Sequence, residues 1–402
     1  MKICFITFGC KLNQSESFSW QDKLSGKKIQ VVTEQQNPDL IIVNACSVTL
    51  KAERELRQKV NQLKRKFPRA ELILTGCFLF PPKIVRVLSR DKMASFIDKL
   101  AKQYLTTGEK YKSLCRTRTF IKIQDGCNNF CAYCIVPYLR GRIYSRSISE
   151  IINEIRKRET QGCQEIVLVG TDLQKFKDRN NNLIDLLNKI LSETKINRIR
   201  ISSLWPTAIK QRLINLMKNN SRICPHLHLS MQSGSNEILK VMGRPYQASQ
   251  ILNLIKQAKK IKNLSLTADL IVGFPGETKK DFLKTVNFVK KAGLLKVHVF
   301  KYSPRPGTKA AKMTNQVLDA IKTARSQELK EVSDLISKKF KNKYISKVMR
   351  VLFEAKRDGY WSGFTDNYLR VYVPSRVQLT NQFVEVKLTS LFKDGYRAKV
   401  VK

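Results

Sequence analysis

Short apolar runs alternate with amphipathic stretches of helical period through the first hundred residues. Lys2–Phe8, Leu40–Asn44 and Glu71–Thr75 are rich in Ile, Leu and Val and have the length of buried strands. Lys51–Lys66 repeats its apolar residues at helical spacing beneath a charged outer face. Strand, helix, strand at this spacing predicts an open, Rossmann-like α/β sheet over residues 1–112. From about Thr119 the pattern returns with more members. Phe120–Gln124, Ile166–Gly170, Arg198–Ser203, His226–Ser230, Ser265–Gly273 and Lys296–Ser303 read as strands. Ser149–Thr160, Gln211–Lys218, Ala248–Lys260 and Lys279–Ala292 read as helices between them, and Asp319–Phe340 as a closing helix. Six βα units predict a partial (β/α)6 barrel over residues 113–343, with its active site at the carboxyl ends of the strands.

Beyond Val348 the pattern shortens to Val348–Glu354, Leu369–Val373, Phe383–Lys387 and Arg397–Val400, broken by turns at Asp358-Gly359 and Asp394-Gly395. Residues 344–402 thus predict a small antiparallel β-barrel, a size often used to grip RNA. A stabilising appendage is the plainer reading of the same pattern.

Length and charge narrow the picture. A chain of 402 residues can carry two or three domains. It has 75 Lys and Arg against 32 Asp and Glu, a formal net charge of +43. A lysine-rich proteome explains part of this excess, but such a field also attracts polyanions, and nucleic acid is the default partner. The charge is spread along the whole chain, so it does not locate the surface. No apolar run approaches the ~20 residues that span a bilayer, and Met1–Phe8 is a short strand rather than a signal peptide. Ten cysteines are too sparse for a disulfide scaffold. The expectation is a cytoplasmic protein in a reducing compartment, with no membrane partner.

The cysteines carry the chemistry. Cys127, Cys131 and Cys134 supply three thiolates from one loop, Asp-Gly-Cys-Asn-Asn-Phe-Cys-Ala-Tyr-Cys. A structural zinc site or an ordinary cubane takes four protein ligands. Three leave one iron of a 4Fe-4S cluster open to a small molecule. A zinc knuckle completed by Cys115 or by His226, His228 or His298 is the competing reading. Cys10, Cys46 and Cys77 form a second trio, each at the carboxyl end of a predicted strand and one βα unit apart, where ligands bind in open parallel sheets. Three buried structural cysteines are the plain alternative. Cys4, Cys115, Cys163 and Cys224 match no motif and read as structural.

The C-x3-C-x2-C run resembles the signature of radical S-adenosylmethionine (SAM) enzymes. Phe8-Gly-Cys-Lys-Leu-Asn-Gln-Ser-Glu-Ser17, Asn44-Ala-Cys-Ser-Val48 and Thr75-Gly-Cys77 resemble the N-terminal domain of the methylthiotransferases. His226-x-His228-x-Ser-Met-Gln-Ser-Gly-Ser235, Met242-x-Arg244-x-Tyr246, Asp269–Thr278 and Tyr302–Thr308 resemble their barrel, and Gly363–Arg370 their C-terminal TRAM domain. The resemblance spans essentially the whole chain. It implies replacement of a C–H hydrogen by a methylthio group, with SAM as both methyl donor and radical source. It also implies two 4Fe-4S clusters, one on Cys10, Cys46 and Cys77 and one on Cys127, Cys131 and Cys134.

By the same resemblance Gln232, Ser233 and Arg244 are candidates for the SAM ribose and carboxylate. Tyr133 is a candidate for the adenine, with a core aromatic as the alternative. Gly273 and Gly276 would let backbone approach the adenine, though either also fits a turn. The expected partners are a tRNA anticodon stem-loop and an electron donor such as flavodoxin or ferredoxin, with a monomeric enzyme. The motif wording is most similar to the subfamily acting on threonylcarbamoyladenosine at position 37. Siblings act on isopentenyladenosine or on a ribosomal-protein aspartate, and a non-catalytic iron-sulfur RNA-binding protein is the reading from another class. Asp172 stands where that subfamily usually has Asn, and Trp205 where it usually has an acidic residue.

Overall fold

The structure is a computed structural model that describes residues 1–24, 28–46, 48–82, 84–104 and 117–401. Cys115 and the boundary expected at 112/113 lie outside the described residues.

The N-terminal unit is a five-stranded parallel sheet formed by β1 (Lys2–Thr7), β2 (Gln30–Val32), β3 (Leu40–Cys46), β4 (Glu71–Cys77) and β5 (Arg86–Val87), in the order β2-β1-β3-β4-β5. Helices α1 (Lys11–Leu24) and α3 (Arg90–Gln103) cover one face, and α2 (Leu50–Lys66) covers the other. The period-2 pattern of β3 explains both layers. Ile42 packs with Trp20, Met93 and Ile97, whereas Ile41 and Val43 pack with Leu56, Val60 and Leu63. Cys4 is buried in the α2 layer, as a structural thiol should be. In this strand order the ligand crevice lies where the order reverses, between β1 and β3.

Six parallel strands make the central partial barrel. They are β6 (Arg118–Lys122), β9 (Glu165–Val169), β12 (Arg198–Ile201) continuing as β13 (Ser203–Leu204), β14 (His226–Gln232), β15 (Ser265–Val272) and β16 (Lys296–Lys301). The third strand breaks at Ser202, so that β12 pairs with β9 and β13 with β14. Before β9 come β7 (Gln124–Asp125), α4 (Val136–Arg140), β8 (Tyr144–Ser145) and α5 (Ile148–Thr160). The hairpin of β10 (Lys177–Asp178) and β11 (Asn181–Asn182) follows β9 and leads into α6 (Leu183–Glu193). Helices α7 (Gln211–Asn219), α8 (Asn236–Val241), α9 (Ala248–Ala258), α10 (Lys279–Ala292) and α11 (Asp319–Asn342) complete the shell. Alternate residues such as Leu227, Leu229 and Met231 face this shell.

The C-terminal unit is a closed barrel of β17 (Val348–Arg357), β18 (Tyr360–Thr365), β19 (Arg370–Val373), β20 (Phe383–Phe392) and β21 (Gly395–Val400). It is not wholly antiparallel, because β19 and β21 pair in parallel to close it. Its β18–β19 turn, within the segment that resembles the TRAM motif, packs on the amino-terminal mouth of the central barrel. Arg200 donates to Asp366 O at 3.0 Å, Asn367 Nδ2 donates to Asn263 O at 3.1 Å, and Tyr368 stacks on His226 at 4.7 Å. These residues form a domain seam, so an RNA-contacting surface on this small barrel would use other residues. Among the described residues, no helix is long and apolar enough to cross a membrane.

Candidate active site

The sheet register brings Cys46 and Cys77 together: they are partners on adjacent strands, each the last residue of its strand. Cys10 joins them from the loop between β1 and α1, at the reversal of strand order. Two glycines make the approach sterically feasible. A Cβ on Gly9, at φ 127°, would lie 2.3 Å from Cys46 Cβ, and one on Gly76, at φ 114°, 2.2 Å from Ala45 O. The trio is not a plain core cluster, because Cys10 is exposed, Cys46 half-buried and only Cys77 buried. A hydrogen bond with Cys46, the largest influence, draws the Cys10 thiol down to about 6, with the Arg140 charge acting in the same direction. The same hydrogen bond, joined by burial, pushes Cys46 up.

Polar side chains pin this arrangement. Asn13 Nδ2 donates to Asn44 Oδ1 at 2.8 Å and to Ala45 O at 3.1 Å, while Asn44 Nδ2 returns a bond to Asn13 O at 2.9 Å. The Cys10 thiol donates to Asn13 Oδ1 at 3.0 Å. Asn13 and Asn44 lie inside the motifs quoted above, but their reciprocal pairing depends on tertiary structure, and sequence reasoning missed it.

The second trio is built locally. The Cys134 N–H donates to Cys131 O at 2.9 Å, and Ala132 between them donates to Met242 O at 3.0 Å. The Met242-x-Arg244-x-Tyr246 motif therefore braces this loop. Asn129 Nδ2 donates to Cys127 Sγ at 3.1 Å and to Asp172 Oδ2 at 2.6 Å. Burial raises the Cys127 and Cys134 thiols, the latter to about 12. Cys163 and Cys224 are buried away from both trios, and no disulfide joins the described cysteines.

Of the SAM-site candidates, the structure brings Tyr133 and Arg244 together. Arg244 Nη2 donates to Tyr133 OH at 2.6 Å, and its guanidinium lies 4.0 Å from the centre of the Trp205 ring. Arg244 is buried, yet Nε and Nη1 have no partner. Gln232, also buried, ends β14 at a register shift with φ 70°, a costly backbone for a long side chain. Ser233 Oγ accepts from Ser235 N–H and meets Thr285. The N–H of Gly273 donates to Glu277, and a Cβ there would strike Lys322. A Cβ on Gly276 would strike Asn315. Asp172 is buried with Oδ1 unpartnered.

The three histidines gather on neighbouring strands of the central barrel. His228 meets Thr267 at 2.8 Å and Asp269 at 3.0 Å, one through each ring nitrogen, and lies 5.5 Å from His298. His226 Nε2 meets the same threonine at 3.1 Å. Among the described residues, no three His, Cys, Asp or Glu side chains converge as a single-ion site requires. A cubane takes each thiolate on a different iron, so its three protein ligands stand apart.

Arg140 joins the segments that carry the two trios across the domain seam. Buried at the end of α4, it donates to Glu16 of α1 at 3.1 Å and to Asp125 at 2.9 Å, and it reaches Asn13 Oδ1 at 3.4 Å. Arg90 of α3 adds a second bond to Asp125 at 2.8 Å. Burial raises the Asp125 carboxyl, but Arg140, Lys122 and Arg90 together bring it down to about 2. Leu12 completes the seam against Val167 and Val169.

Residues 121–289 match the radical SAM superfamily, and residues 2–94 match the uncharacterized protein family UPF0004. The chain is 35% identical to the threonylcarbamoyladenosine tRNA methylthiotransferase MtaB of Thermotoga maritima, over 97% of this chain and 94% of that protein. It is 31% identical to the protein of the same name from Bacillus subtilis, with coverage of 98% and 94%. Identity is also 31% to the tRNA-2-methylthio-N(6)-dimethylallyladenosine synthase of Thermodesulfovibrio yellowstonii, with coverage of 98% and 97%. Among solved structures, the radical S-adenosylmethionine methyltransferase TsrM from Kitasatospora setae aligns with a TM-score of 0.53 at 12% identity, over 77% of each chain, a likeness of fold alone.

Proposed function

Since the chain belongs to the methylthiotransferases of the radical SAM superfamily, we propose that it methylthiolates threonylcarbamoyladenosine in tRNA, at position 37 beside the anticodon. It is a radical SAM enzyme, and its cofactors are SAM and 4Fe-4S clusters. Cys10, Cys46 and Cys77 would hold one cluster, and Cys127, Cys131 and Cys134 the other. When bound, this cofactor set supplies the radical that removes the target hydrogen and the methylthio group that replaces it. Two sets of only three thiols, on segments that Arg140 bonds together through Glu16, Asn13 and Asp125, carry the reading. A simple binding protein has no need of two open irons.

The protein's own part is to orient and to shield. The unpartnered Nε and Nη1 of Arg244 form a fork suited to a carboxylate, and Arg244 lies close enough to Cys131 for their charges to interact. That is the feature expected where SAM is held. Tyr133 fixes the fork, and Trp205 supports it from one face. Asn129 holds Cys127 and Asp172 in one network. Glu16, Asp125 and Arg140 keep the N-terminal sheet against the barrel, so that the substrate meets both trios in one orientation. The working units are residues 1–112, 113–343 and 344–402, the last a TRAM-like barrel. Cytoplasmic location and an acidic electron donor such as flavodoxin belong to the same reading.

Mass spectrometry of tRNA nucleosides from cells with and without the gene tests it. Methylthio-threonylcarbamoyladenosine should vanish without the gene and return only when all six cysteines are intact. If that nucleoside persists while the methylthio-isopentenyladenosine peak is lost, the substrate is the sibling one. If neither changes, the target lies outside tRNA.

A further inference from the structure

Beside the Cys127–Cys134 loop the chain presents aromatic rings to solvent. Phe130 is 50% exposed, Tyr138 56% and Tyr144 63%. Phe130 meets Tyr138 edge-on at 5.6 Å, from left-handed backbone with φ 44°. That conformation is unfavourable for a bulky side chain, and here it serves no core. Tyr144 of β8 pairs with Asp125, two residues before Cys127. The neighbouring Ile143 N–H donates to Asn128 Oδ1 at 3.1 Å. Phe130 and Tyr138 are thus in contact, and Tyr144 is tied by strand pairing to the segment that leads into the cysteine loop.

An open groove of about 620 Å³ lies next to them in the chain, lined by Asn128, Ile143 and Ser145 together with Lys175, Lys177 and Arg179, with the rings outside its lining. The Lys177 N–H donates to Ser145 Oγ at 3.1 Å, which ties the basic hairpin to the strand that carries Tyr144. The groove contains three cations and one carboxylate, Asp172, which already accepts from Asn129. Exposed rings interleaved with cations bind unpaired nucleic acid well: bases stack on the rings, and phosphates meet Lys and Arg. A duplex keeps its base faces covered, and an acidic protein would engage the cations without needing the rings.

We propose that this face holds the unpaired loop of the RNA substrate. Tyr138 and Tyr144, with Phe130, stack nucleotides flanking the target, and Lys175, Lys177 and Arg179 hold their phosphates. The inference rests on the RNA reading above and deepens it by naming the surface.

Binding of an anticodon stem-loop RNA to the full-length, cluster-loaded protein across a salt series is the test, with melting temperature and iron content measured for every variant. Y138A and Y144A should each weaken binding about tenfold without changing the salt slope, and Y144F should keep wild-type affinity. The triple variant K175Q/K177Q/R179Q should flatten the slope of log K against log salt by about two. Wild-type binding by both Y138A/Y144A and the charge triple overturns the proposal. So does loss of reduction by flavodoxin with RNA affinity intact, which assigns the face to a protein. If the wild-type chain itself fails to bind the RNA, the RNA reading falls, and this surface with it.

Discussion

Cys127, Cys131 and Cys134 lie within eight residues of one loop, whereas Cys10, Cys46 and Cys77 come from three segments of one sheet. The first set is braced by its own backbone and by the turn at Met242. The second exists only if β3 and β4 pair in register, if Gly9 and Gly76 admit their neighbours, and if Asn13 locks to Asn44. A one-residue slip of β3 against β4 would take Cys46 off its partner and turn it to the other face. One site is therefore as robust as a loop, and the other only as robust as a domain. Charge separates them only at Cys10, whose thiol is drawn down by Cys46 and then by Arg140; burial dominates at Cys77, as it does at Cys127 and Cys134, and raises all three.

Replacing whole sets breaks the comparison most completely. C127A/C131A/C134A should abolish both methylthiolation and reductive SAM cleavage. C10A/C46A/C77A should abolish methylthiolation but leave SAM cleavage measurable by chromatography of the released deoxyadenosine. Equal loss of cleavage in both would contradict separate roles.

Arg140→Met comes next. It leaves buried Glu16 and half-buried Asp125 without their central partner but still beside Arg90 and Lys122, so the loss falls below the ~3–5 kcal/mol of a fully broken buried pair. The effect should appear as an early calorimetric melting step of the N-terminal sheet, because the seam and not the barrel core is cut. A single transition at the wild-type temperature would show that the seam contributes nothing.

Glycine substitution sharpens the contrast at smaller cost. G76A places Cβ 2.2 Å from backbone, whereas G141A, at φ 73°, has nothing within 4 Å. G141A should cost only the ~1–3 kcal/mol of its glycine-only backbone, at ψ −163°, and retain iron, while G76A should add a steric clash to its strain, cost more and lower iron retention. Equal denaturation midpoints would remove the steric argument.

The smallest effect lies at the floor of the central barrel. Burial first, then Arg200 and Lys11, holds the His226 imidazole well below its ordinary 6.5, so it is neutral in the folded protein. Its contribution to stability is fully present above pH 6.5 and falls by about 1.4 kcal/mol per unit as pH drops below that value. Melting curves at pH 7.5 and 5.5, compared with those of His226→Phe, should isolate this share.

Sequence legibility divided along the same line. Both trios could be read because strand ends and local spacing are one-dimensional signals. The partial barrel followed from six apolar runs, although the break at Ser202 did not. Helix α1 escaped because it buries Asn13, Ser15, Glu16 and Ser17 between sheet and barrel, so its inner face lacks the apolar stripe that marks a helix. Arg140, Asn13 and Asn44 were hidden for a related reason. A buried polar partner has no periodic signature, and its role exists only once the second domain is in place. Gly363–Arg370 is the converse case: its motif was legible, but its docking onto Arg200 and His226 was not.

Iron and acid-labile sulfide analysis with Mössbauer spectroscopy, after anaerobic reconstitution, tests the central claim most directly. Wild type should hold about eight irons per chain as two cubanes, and each triple-cysteine variant about four, with a different spectrum surviving in each. About four irons in the wild type, or zinc in either site, would contradict the two-cluster account.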